Sequence, residues 1–315
     1  MNIVIDVDRL EREGVLTPEL ASTLRKSATR ETGSAAINVL LAFGAAAVAG
    51  GLCVLFPSPP LASAIGLGFI AAGFALEKAF APQWGLLGRI WMIIGALTLA
   101  GIIGFWLGKP MEGALCAAAI LAVVAVLAQS HLLIALAPLA LGAALGGSTG
   151  YWSGCYEIAI REPTLTIIAF TLLGVIAWAI ALKGPPLIAG LSLTFTRMCV
   201  ILVNFGFWVG SLWGDSPGAL WRNVSDAAAR HDIPAYVFAI GWAIALLIAL
   251  FWGARTGRRF LVNTAAAFGG IHFYTQWFER LGATPLTVIA GGVVAILLGI
   301  GFWRYNQSAL ARPAA

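Results

Sequence analysis

Charged residues are scarce in this sequence of 315 residues. Asp, Glu, Lys and Arg together make up 10% of it, and hydrophobic residues make up 60%. A soluble domain carries about a quarter charged residues, so the composition argues against a soluble globular protein. Hydrophobic and polar residues do not alternate within the long apolar runs, which excludes a transmembrane β-barrel. The composition therefore predicts a polytopic α-helical protein embedded in a lipid bilayer.

Residues that carry chemistry are also few. The chain has three histidines and four cysteines, and the cysteines form no C-x-x-C pair. This spacing predicts neither a metal site nor a disulfide framework. The chain has no HExxH, GxSxG or Walker A motif, and no carboxylate pair at helical spacing inside an apolar run. We therefore expect no catalytic residue, no cofactor and no metal, and an intramembrane enzyme is the weakest functional reading.

The net charge of +5 does not indicate a nucleic-acid partner. No basic run is interleaved with stacking aromatic residues, and the Lys and Arg residues instead flank the apolar runs, where they orient membrane helices. The first 30 residues carry mixed charges and no apolar core, so they do not read as a signal peptide. We expect the first span to remain as an uncleaved anchor.

Apolar runs near 20 residues long recur along the chain, and a bilayer core of about 30 Å needs about 20 helical residues. The breaks between them include PSPP, GKP, KGPP and GATP, and proline is well tolerated at the first position of a helix. The predicted fold class is all-α, a polytopic transmembrane helical bundle of about 10 spans. The predicted spans are residues 35–56, 61–79, 86–107, 111–129, 131–148, 163–182, 187–210, 234–253, 260–279 and 285–304.

The distribution of basic residues predicts the orientation of these spans. With the N-terminus inside, thirteen of the 19 Lys and Arg residues fall on the inner side and five on the outer side, while Arg197 lies within span seven. Cytoplasmic loops carry the excess of Lys and Arg in membrane proteins. We therefore expect both termini to be cytoplasmic.

The N-terminal segment is predicted to be a separate helical hairpin. We expect two short helices around Gly14, with Thr17 capping the second helix and Pro18 at its first position. This hairpin either lies on the membrane surface and the inner loops or docks a cytosolic partner. The predicted domains are a cytosolic amphipathic hairpin over 1–33, the transmembrane bundle over 34–306 and a short flexible C-terminal tail over 307–315.

Two outer segments have a distinct composition. Residues 148–162 are rich in glycine and aromatic residues, and residues 216–232 predict a short surface helix with Ser216 as its cap and Pro217 at its first position. Aromatic residues at such positions anchor a protein at the membrane interface. The alternative is that both segments form a lid over an outer vestibule.

Arg197 is a permanent cation within span seven, where an arginine at the helix centre costs about 2.5–3.5 kcal/mol. At 100° per residue, Thr194 and Asn204 lie on the same side of the helix as Arg197. Gly206 and Gly210 lie on the opposite side, and small residues four apart allow close helix packing. We therefore predict that span seven lines a polar interior on one side and packs against a neighbouring helix on the other.

Span nine is the second polar helix, with His272, Gln276 and Glu279 on one face. Counted from the starts of the two spans, Arg197 and His272 differ in depth by only about 3 Å. If the spans are neighbours, these residues line one polar pocket with Glu279 near its outer mouth. No Asp or Glu near the middle of a span is available to Arg197, which favours a small anionic ligand, a lipid headgroup or backbone carbonyls as its partner. Alternatively, its long stem lets the charge reach the inner interface.

Two stretches carry a resemblance to a known family. They are the N-terminal LEREGVLTPELASTL and the C-terminal FLVNTAAAFGGIHFYTQWFERLG, which is followed by a last span ending in LLGIGFWRYNQ. Together they resemble the uncharacterised bacterial membrane-protein family called domain of unknown function two-one-five-seven. The resemblance implies an N-terminal helical hairpin followed by multiple spans in a bacterial inner (plasma) membrane, and it implies no activity.

Two functional readings remain open. The first is a multi-spanning inner-membrane protein without catalytic chemistry that serves as a scaffold or envelope component. The second is a transporter or channel for a small polar or anionic solute, with its site near Arg197 and His272.

Overall fold

The computed structural model describes residues 10–11, 15–79, 84–108, 110–152, 155–218 and 232–310. Inside these ranges, the side chains of 23–36 and 151–157 are among those not described. The chain divides into two compact units. Unit 1 comprises residues 1–144 and 180–195, and unit 2 comprises residues 145–179 and 196–315.

The described residues form ten long helices and one β-hairpin. Six of the helices begin at a proline, as expected for a residue that tolerates the first helical position. The elements are α1 (Pro18–Leu55), α2 (Pro59–Ala79), α3 (Gly85–Trp106), α4 (Pro110–Leu127), α5 (His131–Ala144), β1 (Gly147–Trp152), β2 (Cys155–Ile160), α6 (Pro163–Lys183), α7 (Pro186–Trp213), α8 (Ala235–Arg255), α9 (Arg259–Leu281) and α10 (Pro285–Leu310).

Among the described residues, seven helices are long and apolar enough to cross a bilayer: α1 to α4 and α6 to α8. Helix α5 has only 14 residues, about 21 Å at 1.5 Å per residue, which is shorter than the bilayer core. Helix α9 has 23 residues but is more polar than the seven, and the apolar stretch found among the described residues of α10 is Pro285–Gly301. The chain is therefore a multi-pass helical membrane protein, and the ten predicted crossings stay a prediction.

Helix α1 begins as the sequence predicts but does not stop where the hairpin was expected to end. The hydroxyl of Thr17 accepts a hydrogen bond from the backbone N–H of Leu20 at 3.4 Å, which confirms Thr17 as the cap. The helix then continues without interruption to Leu55, so the backbone has no break at residue 33. At the other end, α10 continues to Leu310, four residues beyond the predicted boundary at 306.

The prediction that residues 131–148 form one helical span is wrong at its C-terminal end. Helix α5 stops at Ala144, and Gly146 follows with φ of 81°, a left-handed conformation that glycine adopts without steric cost. The chain then enters β1, which pairs antiparallel with β2 in a register from Gly147↔Ile160 to Trp152↔Cys155. The all-α class therefore needs this correction: the glycine- and aromatic-rich segment 148–162 contains a β-hairpin.

Glycine pairs bring α2 and α3 of unit 1 into backbone contact. A Cβ atom on Gly73 would lie 2.5 Å from the carbonyl oxygen of Gly88, and one on Gly95 would lie 2.5 Å from that of Gly66. The two contacts are seven residues apart on each helix and run in opposite directions, so the helices are antiparallel. The remaining core of unit 1 is formed by buried aliphatic residues of α3 to α5 and Leu191.

In unit 2, helices α7, α8 and α9 pack around a core of Trp242, Leu246, Ala265 and Phe268. The predicted glycine face of α7 is a packing surface. A Cβ atom on Gly206 would lie 2.9 Å from Ile167, and one on Gly210 would lie 2.5 Å from the ring of Phe238. Side chains at these two positions would therefore displace α6 or α8.

The end of α7 and the start of α6 are joined by carboxylates. The side chain of Asp215 accepts a hydrogen bond from the backbone N–H of Thr164 at 2.8 Å, and that of Glu162 accepts one from Gly218 at 2.9 Å. The hydroxyl of Ser216 donates a hydrogen bond to Asp232. Pro217 and Gly218 form a turn with φ of 87° at Gly218, so the predicted surface helix does not begin at Pro217. Residues 219–231 lie outside the described residues, and a helix there stays a prediction.

Candidate functional site

The polar face of α7 contacts α8 through a hydrogen bond between two side chains. The indole N–H of Trp242 donates to the side-chain oxygen of Asn204 at 2.9 Å. The amide nitrogen of Asn204 donates to the carbonyl of Val200 at 2.8 Å. Both residues are buried, and both ends of the Asn204 amide have partners. Asn204 therefore lies on an interior face, as predicted, and its role there is to hold α7 against α8.

Helices α7 and α9 are neighbours and run parallel. The rings of Phe205 and Phe268 meet edge to face with centroids 5.5 Å apart, and the guanidinium of Arg197 lies 5.4 Å from the ring centroid of Phe260. Both contacts join residues that are 63 positions apart, so they define one parallel register. The condition on which the predicted pocket depended, that spans seven and nine are neighbours, is met.

The same register separates Arg197 from His272. Arg197 lies beside Phe260, the second residue of α9, whereas His272 is twelve residues further along that helix, about 18 Å at 1.5 Å per residue. The estimate of equal depth is wrong because it assumed that both spans begin at one level. Arg197 is exposed, and its charge lies at the end of unit 2 where α9 begins.

His272 instead adjoins the buried Trp242, with ring centroids 4.9 Å apart in an edge arrangement. The Nδ1 atom of His272 is one of three buried polar nitrogens in this part of unit 2 that have no hydrogen-bond partner among the described residues. The other two are Trp208 Nε1 and Gln276 Nε2. We call these three the donor cluster. An indole N–H and an amide NH₂ are donors only, and a histidine ring nitrogen donates in one of its two tautomers.

The register places the members of the donor cluster close together. Trp208 lies three residues beyond Phe205 on α7, and His272 lies four residues beyond Phe268 on α9. Both are therefore about 4.5–6 Å past the contact between the two phenylalanines. Gln276 follows His272 by one helical turn on the same face. The donor cluster thus lies between α7 and α9, next to Trp242 of α8.

The structure does not bring the remaining predicted residues to this place. Thr194 belongs to unit 1, where its hydroxyl lies 2.8 Å from Nδ1 of His131 and also bonds to the carbonyl of Gly190. Glu279 is exposed near the end of α9. Of the six predicted site residues, His272 and Gln276 form the donor cluster, and Asn204 bonds to the tryptophan that His272 contacts.

Two tryptophans were missed by reasoning from the sequence. Trp208 lies eleven residues after Arg197, which at 100° per residue is within about 20° of it on the helix, so counting the indole as a donor would have found it. Trp242 sits among aliphatic residues of α8, and nothing in its spacing distinguishes it from a core residue. Among the described residues, no three His, Cys, Asp or Glu side chains converge on a metal position.

Comparisons with known proteins found no relative of this chain. No family model, no curated protein and no solved structure matches the chain. The resemblance to the family called domain of unknown function two-one-five-seven therefore stays a prediction, and the function must be argued from the geometry of the chain itself.

Proposed function

We propose that this protein resides in a bacterial inner membrane, crosses it ten times and has both termini in the cytoplasm. The seven apolar helices support several crossings, and the thirteen basic residues on the inner side against five on the outer side support the orientation. A protease-protection assay on tags placed at both termini tests this. Accessibility of only one tag from the cytoplasmic side would contradict it.

We further propose that unit 2 holds a small solute that accepts hydrogen bonds, either neutral or anionic, in the manner of a transporter or channel. The observation that carries this proposal is the donor cluster. Leaving a buried donor unpaired costs about 1–3 kcal/mol, and no water inside a bilayer core relieves that cost. Two obligate donors, on Trp208 and Gln276, and a nitrogen of His272 that donates in one tautomer are therefore explained best by an occupant. The two obligate donors require that occupant to be a hydrogen-bond acceptor.

The test is thermal unfolding of the detergent-purified protein with the sodium salts of chloride, nitrate, sulfate and acetate and with glycerol, at constant ionic strength. A bound solute raises the midpoint of unfolding in proportion to the logarithm of its concentration. We expect at least one probe to stabilise the wild type and to lose its effect in Gln276→Met, which removes a donor at nearly equal volume. Flux of that probe into proteoliposomes then separates transport from binding alone.

Asn263→Met is the matched control, because Asn263 is an exposed residue of the same helix. It should leave the response to the probe unchanged. The proposal is wrong if no probe shifts the wild type while Gln276→Met alone is more stable. That result means that the substitution merely removed an unsatisfied group.

The second candidate function is a scaffold or envelope component. It is favoured by the large apolar side chains that the terminal helices expose, such as Leu40 and Phe43 on α1 and Leu286 and Ile289 on α10, each at least 65% exposed. Contact with another membrane helix would cover these faces. Crosslinking through single cysteines at Phe43 and Ile289 in native membranes tests this reading, and uniform labelling without a discrete crosslinked product would contradict it.

A further inference from the structure

Four arginines gather at one end of unit 2. Arg255 ends α8, Arg258 directly precedes α9 and Arg259 begins it. The guanidinium of Arg197 lies 5.4 Å from the ring centroid of Phe260 beside them. Among the described residues, none of these four groups lies within ion-pair distance of a carboxylate. This end of unit 2, which we call the arginine end, therefore carries four positive charges that have no ion-pair partner among the described residues.

The acidic side chains that the structure describes in unit 2 lie at the opposite end. Trp178 contacts Arg258 at the arginine end, whereas Glu162 precedes Trp178 by sixteen residues of α6, about 24 Å. Glu279 follows Arg259 by twenty residues of α9, about 30 Å. Asp215 bonds to Thr164 and therefore lies with Glu162. None of the acidic side chains that the structure describes in unit 2 lies near these positive charges.

Arg258 is held against two indole rings. Its guanidinium lies 5.2 Å from the ring centroid of Trp178 and 5.3 Å from that of Trp252, and the two indoles meet edge to face at 5.8 Å. A guanidinium is planar and carries five N–H donors, so one that aromatic contacts hold in place is a pre-organised partner for a phosphate. That arrangement suits bidentate recognition of a phosphate.

The turn between α8 and α9 fixes Arg258 in this position. Gly257 has φ of 67°, and the backbone N–H of Arg258 donates to the carbonyl of Gly253 at 2.9 Å, the six-to-one bond with which many helices end. A Cβ atom on Gly253 would lie 3.0 Å from Leu261. The two helices are therefore in close contact at the turn that carries Arg255, Arg258 and Arg259.

An apolar groove leads away from the arginine end along α8. It has a volume of about 410 Å³ and runs from Ile244 to Arg255, about 16 Å along the helix, which is half the thickness of a bilayer core. Arg255 closes it at the charged end. The lining residues are Ile244, Leu247, Ile248, Phe251, Trp252 and Arg255.

We propose that the arginine end and this groove form a binding site for an anionic phospholipid. The lipid phosphate lies against Arg255, Arg258 and Arg259, and an acyl chain lies in the groove along α8. Charge complementarity selects an anionic headgroup over a zwitterionic one, and the groove selects a lipid over a free anion. This site is independent of the donor cluster, which lies further along α9.

The experiment measures lipid binding to the full-length protein in detergent, by native mass spectrometry and by the midpoint of thermal unfolding. The probes are dioleoylphosphatidylglycerol, dioleoylphosphatidylcholine and inorganic phosphate. We expect the wild type to prefer phosphatidylglycerol. Each basic residue at an anionic surface contributes roughly 1 kcal/mol. Arg255→Gln should therefore weaken the binding of phosphatidylglycerol about fivefold, and the double variant Arg255→Gln with Arg259→Gln should weaken it about 25-fold.

Arg161→Gln is the matched control, because Arg161 is an exposed arginine at the acidic end of the same unit. It should leave phosphatidylglycerol binding unchanged. Ile248→Trp fills the groove at an exposed position without changing any charge. It should weaken the binding of phosphatidylglycerol while leaving the protein folded. The proposal is wrong if Arg161→Gln weakens binding as much as Arg255→Gln does, since the effect then follows net charge. It is also wrong if phosphatidylcholine binds equally well, if inorganic phosphate alone stabilises as much, or if Ile248→Trp has no effect.

Discussion

Replacing Gly73 by alanine tests whether backbone contact between α2 and α3 stabilises unit 1. The new Cβ atom would lie 2.5 Å from the carbonyl oxygen of Gly88 and 2.9 Å from two atoms of Met92. A carbonyl oxygen of a helix cannot turn aside as the end of a flexible side chain can. The two helices must therefore separate, and their other close contacts, including that of Gly66 with Gly95, are weakened together.

The magnitude follows from a comparison with Gly68 of the same helix, around which a Cβ atom would meet nothing within 4 Å. Replacing a helical glycine by alanine stabilises by about 0.8–1.0 kcal/mol when the position is free. Gly73→Ala and Gly68→Ala share this gain, so the difference between them isolates the cost of overpacking, about 1–3 kcal/mol. We expect Gly68→Ala to be at least as stable as the wild type and Gly73→Ala to be less stable than Gly68→Ala by that amount.

The measurement is the free energy of unfolding from titration with SDS in mixed micelles, followed by circular dichroism. Gly88→Ala should reproduce the effect of Gly73→Ala from the other helix, because its Cβ atom would lie 2.6 Å from the carbonyl of Gly73. Equal stability of Gly73→Ala and Gly68→Ala would refute the reasoning. It would show that α2 and α3 do not approach as closely as the glycine contacts indicate.

Two further predictions concern unit 2. Asn204→Leu should cost about 1–3 kcal/mol, because it leaves the buried N–H of Trp242 unpaired. In a double-mutant cycle with Trp242→Phe, the two losses of unfolding free energy should sum to more than the loss of the double variant, because the second substitution removes the unpaired N–H. Additive losses would contradict the hydrogen bond. Gly257→Ala should cost about 1–2 kcal/mol, because its φ of 67° is left-handed. A Cβ atom on Gly270 of α9 would meet nothing within 4 Å, so Gly270→Ala should stabilise the protein. Similar unfolding midpoints for Gly257→Ala and Gly270→Ala would contradict the left-handed conformation of Gly257.

Local chemistry is why the ends of the elements were predictable. Thr17 and Pro18 form a cap and first position that depend only on neighbouring backbone groups, and Pro163 and Pro285 begin helices at the predicted residues. The β-hairpin was missed although its signal is also local. Residues 147–152 and 155–160 are rich in β-forming side chains and are separated by a Ser-Gly pair, which is typical of a two-residue hairpin connection. The predicted span 131–148 was extended beyond the apolar run of α5, so that it covered the first residues of β1.

The candidate site was predictable by face but not by depth. Counting at 100° per residue correctly put Asn204 on an interior face of α7 and placed His272 and Gln276 together on α9. The vertical register could not be derived in this way. It depends on which residue of α9 lies beside which residue of α7, and the contacts of Phe260 and Phe268 decide that. The pairing of Arg197 with His272 failed for this reason.

The sequence by itself determined that the chain is a multi-pass helical membrane protein, where most helices begin, and which faces of α7 and α9 are polar. These properties depend on composition, on proline and on helical periodicity, all of which act within one segment. Only the tertiary structure decided that Gly73 lies against Gly88, that Trp208 joins His272 and Gln276, and that Arg197 lies with Arg258 at one end of unit 2. Such contacts join segments far apart in the chain, and they depend on the axial offset between packed helices, which no local pattern encodes.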